Sequence, residues 1–189
     1  MEQQPHFFFA LRLPEETKLV LKKHIERMKE TIPFRRWVHH QDLHITLVFL
    51  GAVPPEKLAA LLRHVKEVLL DTKAFSLKIN ALGFFGHEDS PRVFWADTEE
   101  SPPLQAIRGK VFTTCERAGF QLEKRPFRPH ITLARKWKGE DHFQKEELGV
   151  WTKLQPEPLS FQANEVVLYQ THLTKTPKYE AIAVFPLHN

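Results

Sequence analysis

The tetrapeptide His-Ile-Thr-Leu occurs twice in this chain, at His44–Leu47 and again at His130–Leu133. Each copy lies in an apolar, β-branched run after a segment of helical periodicity, so each reads as a strand. Alternate side chains of a strand point to opposite faces. His44 and Thr46 therefore share one face, with Ile45 and Leu47 on the other, and His130 and Thr132 are opposed in the same way by Ile131 and Leu133. The apolar face fixes each strand in a core while an imidazole and a hydroxyl project from its back. Set side by side, two such strands line a cleft with two histidines and two threonines.

The remaining elements set the fold class. His6–Leu13 (HFFFALRL) is a short apolar strand that Pro14 ends, and Phe7 and Phe9 are expected in the core. Glu15–Ile32 carries Leu19, Leu21, Ile25 and Met28 at near-helical spacing, as does Pro55–Leu70 with Leu58, Leu61, Leu62, Val65, Val68 and Leu69. Leu43–Leu50 is the first motif's strand, and Gly51 marks its exit. Phe75–Leu82 alternates with period two, and Arg92–Asp97 follows after a turn over Gly86–Pro91. Ser101 followed by two prolines starts a helix that runs to about Ala118, with Gly119 as its stop. Ile131–Ala134 is the second motif's strand, Val150–Ser160 reads as a loop, and Phe161–Tyr169 and Tyr179–Phe185 close the chain as strands. The hairpin-like pair 75–82 and 92–97 argues for antiparallel pairing, hence an α+β fold. No linker-like stretch divides the 189 residues, so one domain of two lobes is expected over 1–189.

Composition narrows the functional classes. Hydrophobic residues at 42% and charged residues at 26% are globular values, which excludes a disordered or fibrous chain. The longest apolar runs are too short to span a bilayer, so no membrane role is expected. The opening MEQQPHFFFALRLP has an acid where a signal peptide carries bases, so the expected location is cytoplasmic. The lone Cys115 supports neither an internal disulfide nor a thiolate metal site. His39, His40 and Asp42 precede His44, but a closed zinc site needs four ligands with thiolate or carboxylate help. The two histidines read as surface groups, no metal or cofactor is expected, and Asp42 receives no role. The net charge of +4 is mild, and its distribution says more. Lys124–Lys138 holds six basic residues and no acid, and the acid-free Pro33–Gln41 carries Arg35 and Arg36. Aromatic residues interleave in both stretches, a mixture that suits phosphate and base contacts but that an ordinary basic surface also shows.

The paired motifs suggest a specific chemistry. An unperturbed imidazole titrates near pKa ~6.5, so near neutrality one histidine can be neutral while its partner is protonated. That is what hydrolysis of a phosphodiester without a metal requires: one ring takes a proton from water, the other gives one to the departing alkoxide. Threonine hydroxyls can donate hydrogen bonds to phosphate oxygens, and arginine adds charge-assisted contacts. No nucleophilic serine or cysteine is needed.

At these residues the chain resembles the 2H phosphoesterase superfamily, whose two signatures match His44-Ile45-Thr46 and His130-Ile131-Thr132. The longer stretches LHITLVFLG (Leu43–Gly51) and PFRPHITLAR (Pro126–Arg135), with FFFALRLP (Phe7–Pro14), resemble its bacterial branch of RNA 2′,3′-cyclic phosphodiesterases, once described as 2′-5′ RNA ligases. The resemblance covers essentially the whole chain. It implies a bilobal fold of two pseudo-symmetric, mainly antiparallel halves with flanking helices and a central cleft, each half supplying one motif. It implies hydrolysis of a terminal 2′,3′-cyclic phosphate to a 2′-phosphomonoester, with His44 as proton donor to the leaving 3′ oxygen and His130 as proton acceptor from water. Thr46 and Thr132 would hold the phosphate, and Arg135 matches the family's phosphate-contacting arginine. Strand parity places Arg135 opposite His130 unless the strand ends or bulges first.

RNA ends or nucleoside cyclic phosphates are the implied partners, with the chain acting as a monomer. ADP-ribose cyclic phosphate is an alternative substrate and reverse 2′-5′ ligation an alternative activity. Trp37 with Arg35 and Arg36 suits an RNA end as well as a solvated loop. A non-catalytic module that binds nucleotides or RNA ends is the reading of a different class, against which the retention of both histidines counts.

Overall fold

The computed structural model describes residues 4–189, so Met1–Gln3, at the acidic opening, lie outside the described residues. Nine strands form one antiparallel sheet: β1 His6–Arg12, β2 Phe34–Trp37, β3 His44–Ala52, β4 Phe75–Gly86, β5 Pro91–Thr98, β6 His130–Trp137, β7 Leu159–Ala163, β8 Glu165–Thr171 and β9 Tyr179–Pro186. Their order is β7-β4-β5-β6-β3-β1-β8-β9, with β2 paired to β6. Three long helices, α1 Glu15–Lys29, α2 Pro55–Leu69 and α3 Pro102–Arg117, and a short α4, Val150–Leu154, complete the α+β fold.

Helix ends follow local chemistry. α1 places Glu15 and Glu16 in its first turn and Arg27 and Lys29 in its last, which complements the helix dipole. It stops short of Ile32 because a residue before proline disfavours the helical basin. The α3 start is capped by the Ser101 hydroxyl, which accepts from the Leu104 N–H at 3.3 Å. Leu21, Ile25 and Met28 of α1, Leu61 and Val65 of α2, and Ile107, Val111 and Cys115 of α3 join one buried core with Phe9, Ile45, Leu47, Phe94, Ile131, Leu133 and Leu168 of the sheet. Phe8, Ala10, Val167 and Tyr169 make a separate, small apolar cluster of their own. The helices thus cover one face of the sheet, and the other is left to form the cleft.

Four expectations change. Phe34–Trp37 is a strand rather than a loop, held against β6 with Phe34 opposite Trp137 and Arg36 opposite Arg135. Val150–Leu154 is helical, with Trp151 buried. The run 161–169 is two strands that separate at Asn164 and pair at opposite ends of the sheet, β7 with β4 and β8 with β1 and β9. One intervening residue spans at most about 7 Å, so the sheet curls until its two ends meet; a parallel bridge from Lys73 to His188 marks the same closure. Finally, β4 and β6 run past their expected ends, each through a register shift that breaks the simple alternation.

Candidate active site

The two motifs meet at the centre of the sheet. β3 and β6 pair antiparallel at a single position, Ile45 opposite Ile131. That register sets His44 beside Thr132 and Thr46 beside His130, so the repeat becomes a local pseudo-twofold. Both isoleucines and both leucines are buried, and the histidines and threonines lie on the cleft face.

Each imidazole is anchored in the same way. His44 Nδ1 lies 2.7 Å from the Asp42 carbonyl oxygen, and His130 Nδ1 lies 2.8 Å from that of Arg128. A carbonyl only accepts, so Nδ1 carries the proton in both rings and donates it. Nε2 of each neutral ring is left as the acceptor. His44 Nε2 is 2.8 Å from Thr46 Oγ1, from which the neutral ring accepts.

Neighbouring strands wall the rings with aromatics. Phe8 packs on His44 at 4.9 Å between ring centroids, and Tyr179 meets it edge-on at 5.3 Å. Phe85 meets His130 edge-on at 5.0 Å, and Trp95 lies at 6.1 Å. Trp95 occupies the space over Gly83, where a Cβ would overlap its ring. Phe7 and Phe9 are in the core as expected, whereas Phe8 between them is the one that reaches the cleft.

Burial moves both imidazoles in the same direction. His44 falls to about 4, chiefly because packing removes water from the charged ring, with the Asp42 carbonyl bond working the other way. His130 is also lowered, first by burial and then by the Arg135 cation, against the Arg128 carbonyl bond and the Asp97 carboxylate. Identical motifs thus have different neighbours. Arg12 stands opposite His44 and pairs with Glu165 at 3.7 Å, whereas Asp97 stands opposite His130.

Arg135 reaches the cleft face through a bulge. Pairing of β5 with β6 passes from Phe94–Ala134 to Trp95–Thr132, which leaves Leu133 as an extra residue. Leu133 and Ala134 both turn inward, and the next residue, Arg135, emerges on the histidine face. β3 bulges at the matching place: Phe9 pairs with Val48 and Ala10 with Thr46, so Leu47 and Val48 both face the core. The counterpart of Arg135 is therefore Phe49, a 61% exposed aromatic at the same offset from its histidine.

Asp42, unassigned from sequence, is buried and ties in a distant hairpin. Its carboxylate accepts from the Lys178 N–H at 3.0 Å and the Tyr179 N–H at 3.1 Å, holding the start of β9 against the ring of His44. The aromatic walls and this clamp come from strands remote in sequence; only the alternation in HFFFALRL hinted at Phe8. His39 and His40 stack on each other at 4.6 Å. Among the described residues no group of three or more His, Cys, Asp or Glu side chains is arranged as a metal-ligand set, and no helix is long and apolar enough to cross a membrane.

Comparison with known proteins defines the class. The family model described as the 2′-5′ RNA ligase superfamily matches residues 17–175, and the chain belongs to that superfamily. Within it, a Geobacillus stearothermophilus protein named RNA 2′,3′-cyclic phosphodiesterase is 44% identical over 185 residues, covering 98% of this chain. The chain spans 58% of that relative's length. A Bacillus subtilis protein of the same name is 34% identical over 184 residues, covering 97% of each chain. The crystal structure of Escherichia coli LigT in its apo form superposes with a TM-score of 0.75 at 25% identity, covering 99% of this chain and 100% of the other. A Thermus thermophilus structure shares the fold with a TM-score of 0.79 at 23% identity, covering 97% and 98%.

Proposed function

We propose that this protein is an RNA 2′,3′-cyclic phosphodiesterase that opens the terminal cyclic phosphate to a 2′-phosphomonoester by general acid–base catalysis between His44 and His130, without a metal. The observation that carries the reading is the pairing of Ile45 with Ile131, which faces two histidines across one cleft, each with Nδ1 committed to backbone; His130 Nε2 is open to the cleft, and His44 Nε2 meets the Thr46 hydroxyl on the same face. Water attacks phosphorus in line with the departing 3′ oxygen. His130 Nε2 takes the proton of the water, and His44 Nε2–H gives one to the 3′ oxygen as its bond to phosphorus breaks. Thr46 and Thr132 donate to the non-bridging oxygens, and Arg135 adds a cation from the same face.

Burial keeps His44 neutral in the free protein, so the donor acquires its proton together with the substrate. A phosphodiester monoanion beside the ring raises its proton affinity, offsetting the desolvation that depresses it. Phe49 offers an exposed ring on which a base can stack.

The test is incubation of the protein in excess EDTA with an oligonucleotide ending in a 2′,3′-cyclic phosphate, beside His44→Ala and His130→Ala. A 2′-phosphate from the wild type, and a loss of at least a hundredfold in each variant, is expected. Binding of the cyclic end without turnover would establish a non-catalytic module instead.

A further inference from the structure

Two arginines face each other across the β2–β6 ladder. Arg36 is the register partner of Arg135, and directly opposed residues of an antiparallel pair have Cβ atoms about 5 Å apart on the same face. Arg135 is on the cleft face, because its partner on the other side, Val93, alternates with Phe94 and shares its face with Trp95, which lies beside His130. Arg36 therefore faces the cleft too. Both arginines are exposed, and among the described residues neither has a carboxylate within ion-pair distance. Directly opposed like charges destabilise a sheet, so an unneutralised pair here is a cost that an anionic ligand removes.

The pair is displaced from the reacting centre. Arg135 is five residues past His130 with one taken up by the bulge, so about four strand rises, roughly 13 Å of backbone, separate them. Arg36 lies one strand further to the side. Among the described residues β2 has no counterpart on the His44 side, where the matching position along the cleft is Phe49. The cleft is thus cationic at one end and aromatic at the other.

Resting on the phosphodiesterase reading above, we propose that Arg36 binds a second phosphate, the internal phosphodiester on the 5′ side of the terminal nucleotide, and so makes the protein selective for oligonucleotide ends over mononucleoside cyclic phosphates. Arg36 is a substrate-binding residue with no part in proton transfer. A guanidinium suits this role because its planar fork can take two oxygens of one phosphate.

The experiment compares wild type and Arg36→Gln on two substrates, a dinucleotide ending in a 2′,3′-cyclic phosphate and the mononucleoside 2′,3′-cyclic phosphate. Arg36→Gln lowers kcat/KM for the dinucleotide about tenfold, chiefly through KM, and leaves the mononucleoside unchanged. Replacing the internal phosphodiester with a neutral methylphosphonate costs the wild type the same factor and costs Arg36→Gln nothing more. The dependence of log kcat/KM on log salt becomes shallower by about 0.7 in the variant. Equal loss on both substrates, or a methylphosphonate penalty that persists in Arg36→Gln, overturns the proposal. Should the wild type turn over neither substrate, the phosphodiesterase reading fails. Binding of 2′-phosphorylated dinucleotides with either linkage then decides the Arg36 site: a linkage preference lost in Arg36→Gln supports it, and none in the wild type refutes it.

Discussion

The depressed proton affinity of His44 has a measurable price in stability. The ring titrates at about 4 when folded and near ~6.5 when unfolded. Its folded pKa is lowered, so its contribution to stability is complete above the unfolded value. It is lost as pH falls from ~6.5 toward 4, because over that window the unfolded chain takes up a proton that the folded protein refuses. Integrated between pH 7 and pH 5, this one group costs about 2 kcal/mol. His130 adds to the loss with the same sign. The perturbation is His44→Gln, which keeps a polar group of similar reach but cannot titrate. Urea unfolding followed by tryptophan fluorescence at pH 7, 6 and 5 gives both slopes, and their difference cancels the carboxylates common to both proteins. The wild type should lose about 2 kcal/mol more than the variant across the window. An NMR titration of the His44 ring in the folded protein should find it neutral down to pH 5, and added inorganic phosphate should move its midpoint upward. Parallel pH dependences for the two proteins, or a midpoint near 6.5, would refute the reasoning.

Three further outcomes are expected. On a phosphodiester with an activated aryl leaving group, which departs without a proton, His44→Ala recovers most of its activity while His130→Ala stays at least a hundredfold down; recovery in His130→Ala instead would reverse the donor and acceptor. Gly83→Ala forces the Trp95 ring off its seat beside His130, costing about 1–3 kcal/mol of stability by overpacking, and the Trp95 emission shifts with it; an unchanged melting temperature would show that the ring moves freely. Asp42→Ala strands the Lys178 and Tyr179 N–H groups and should cost about 2 kcal/mol in urea unfolding, with a loss below half of that counting against the clamp.

Much of the site was legible because one pattern carried it. Period two in His-Ile-Thr-Leu dictates which residues face water and which face the core, and both copies obey it, from Ile45 and Ile131 inside to the two histidines outside. What escaped was whatever depends on contacts distant in the chain. Phe34–Trp37 has only four residues, two of them arginine, and becomes a strand because β6 offers it a ladder. The change of course at Asn164 is marked locally only by the polar pair Asn164-Glu165, with no glycine or proline, between two strand-like runs. The aromatic walls come from β1, β4, β5 and β9, and no spacing within one segment announces that Phe8 and Tyr179 will meet at His44. Arg135 marks the boundary between the two cases: its offset from His130 raised the question of its face, and the bulge answered it.

That bulge behaves like a frame shift in a two-letter text. A strand writes core and cleft alternately, and one surplus letter after each motif exchanges the meaning of every position downstream until the next interruption. Lys136 supplies that interruption, with φ at +62°, after which Trp137 packs inward against Phe34. Between the two breaks lies a single legible position, Arg135. Were the same residues paired without the surplus position, Ala134 would face the cleft and the arginine would turn toward the hydrophobic interior. The face shown at this end of the cleft is therefore set by one irregular pairing as firmly as by residue identity.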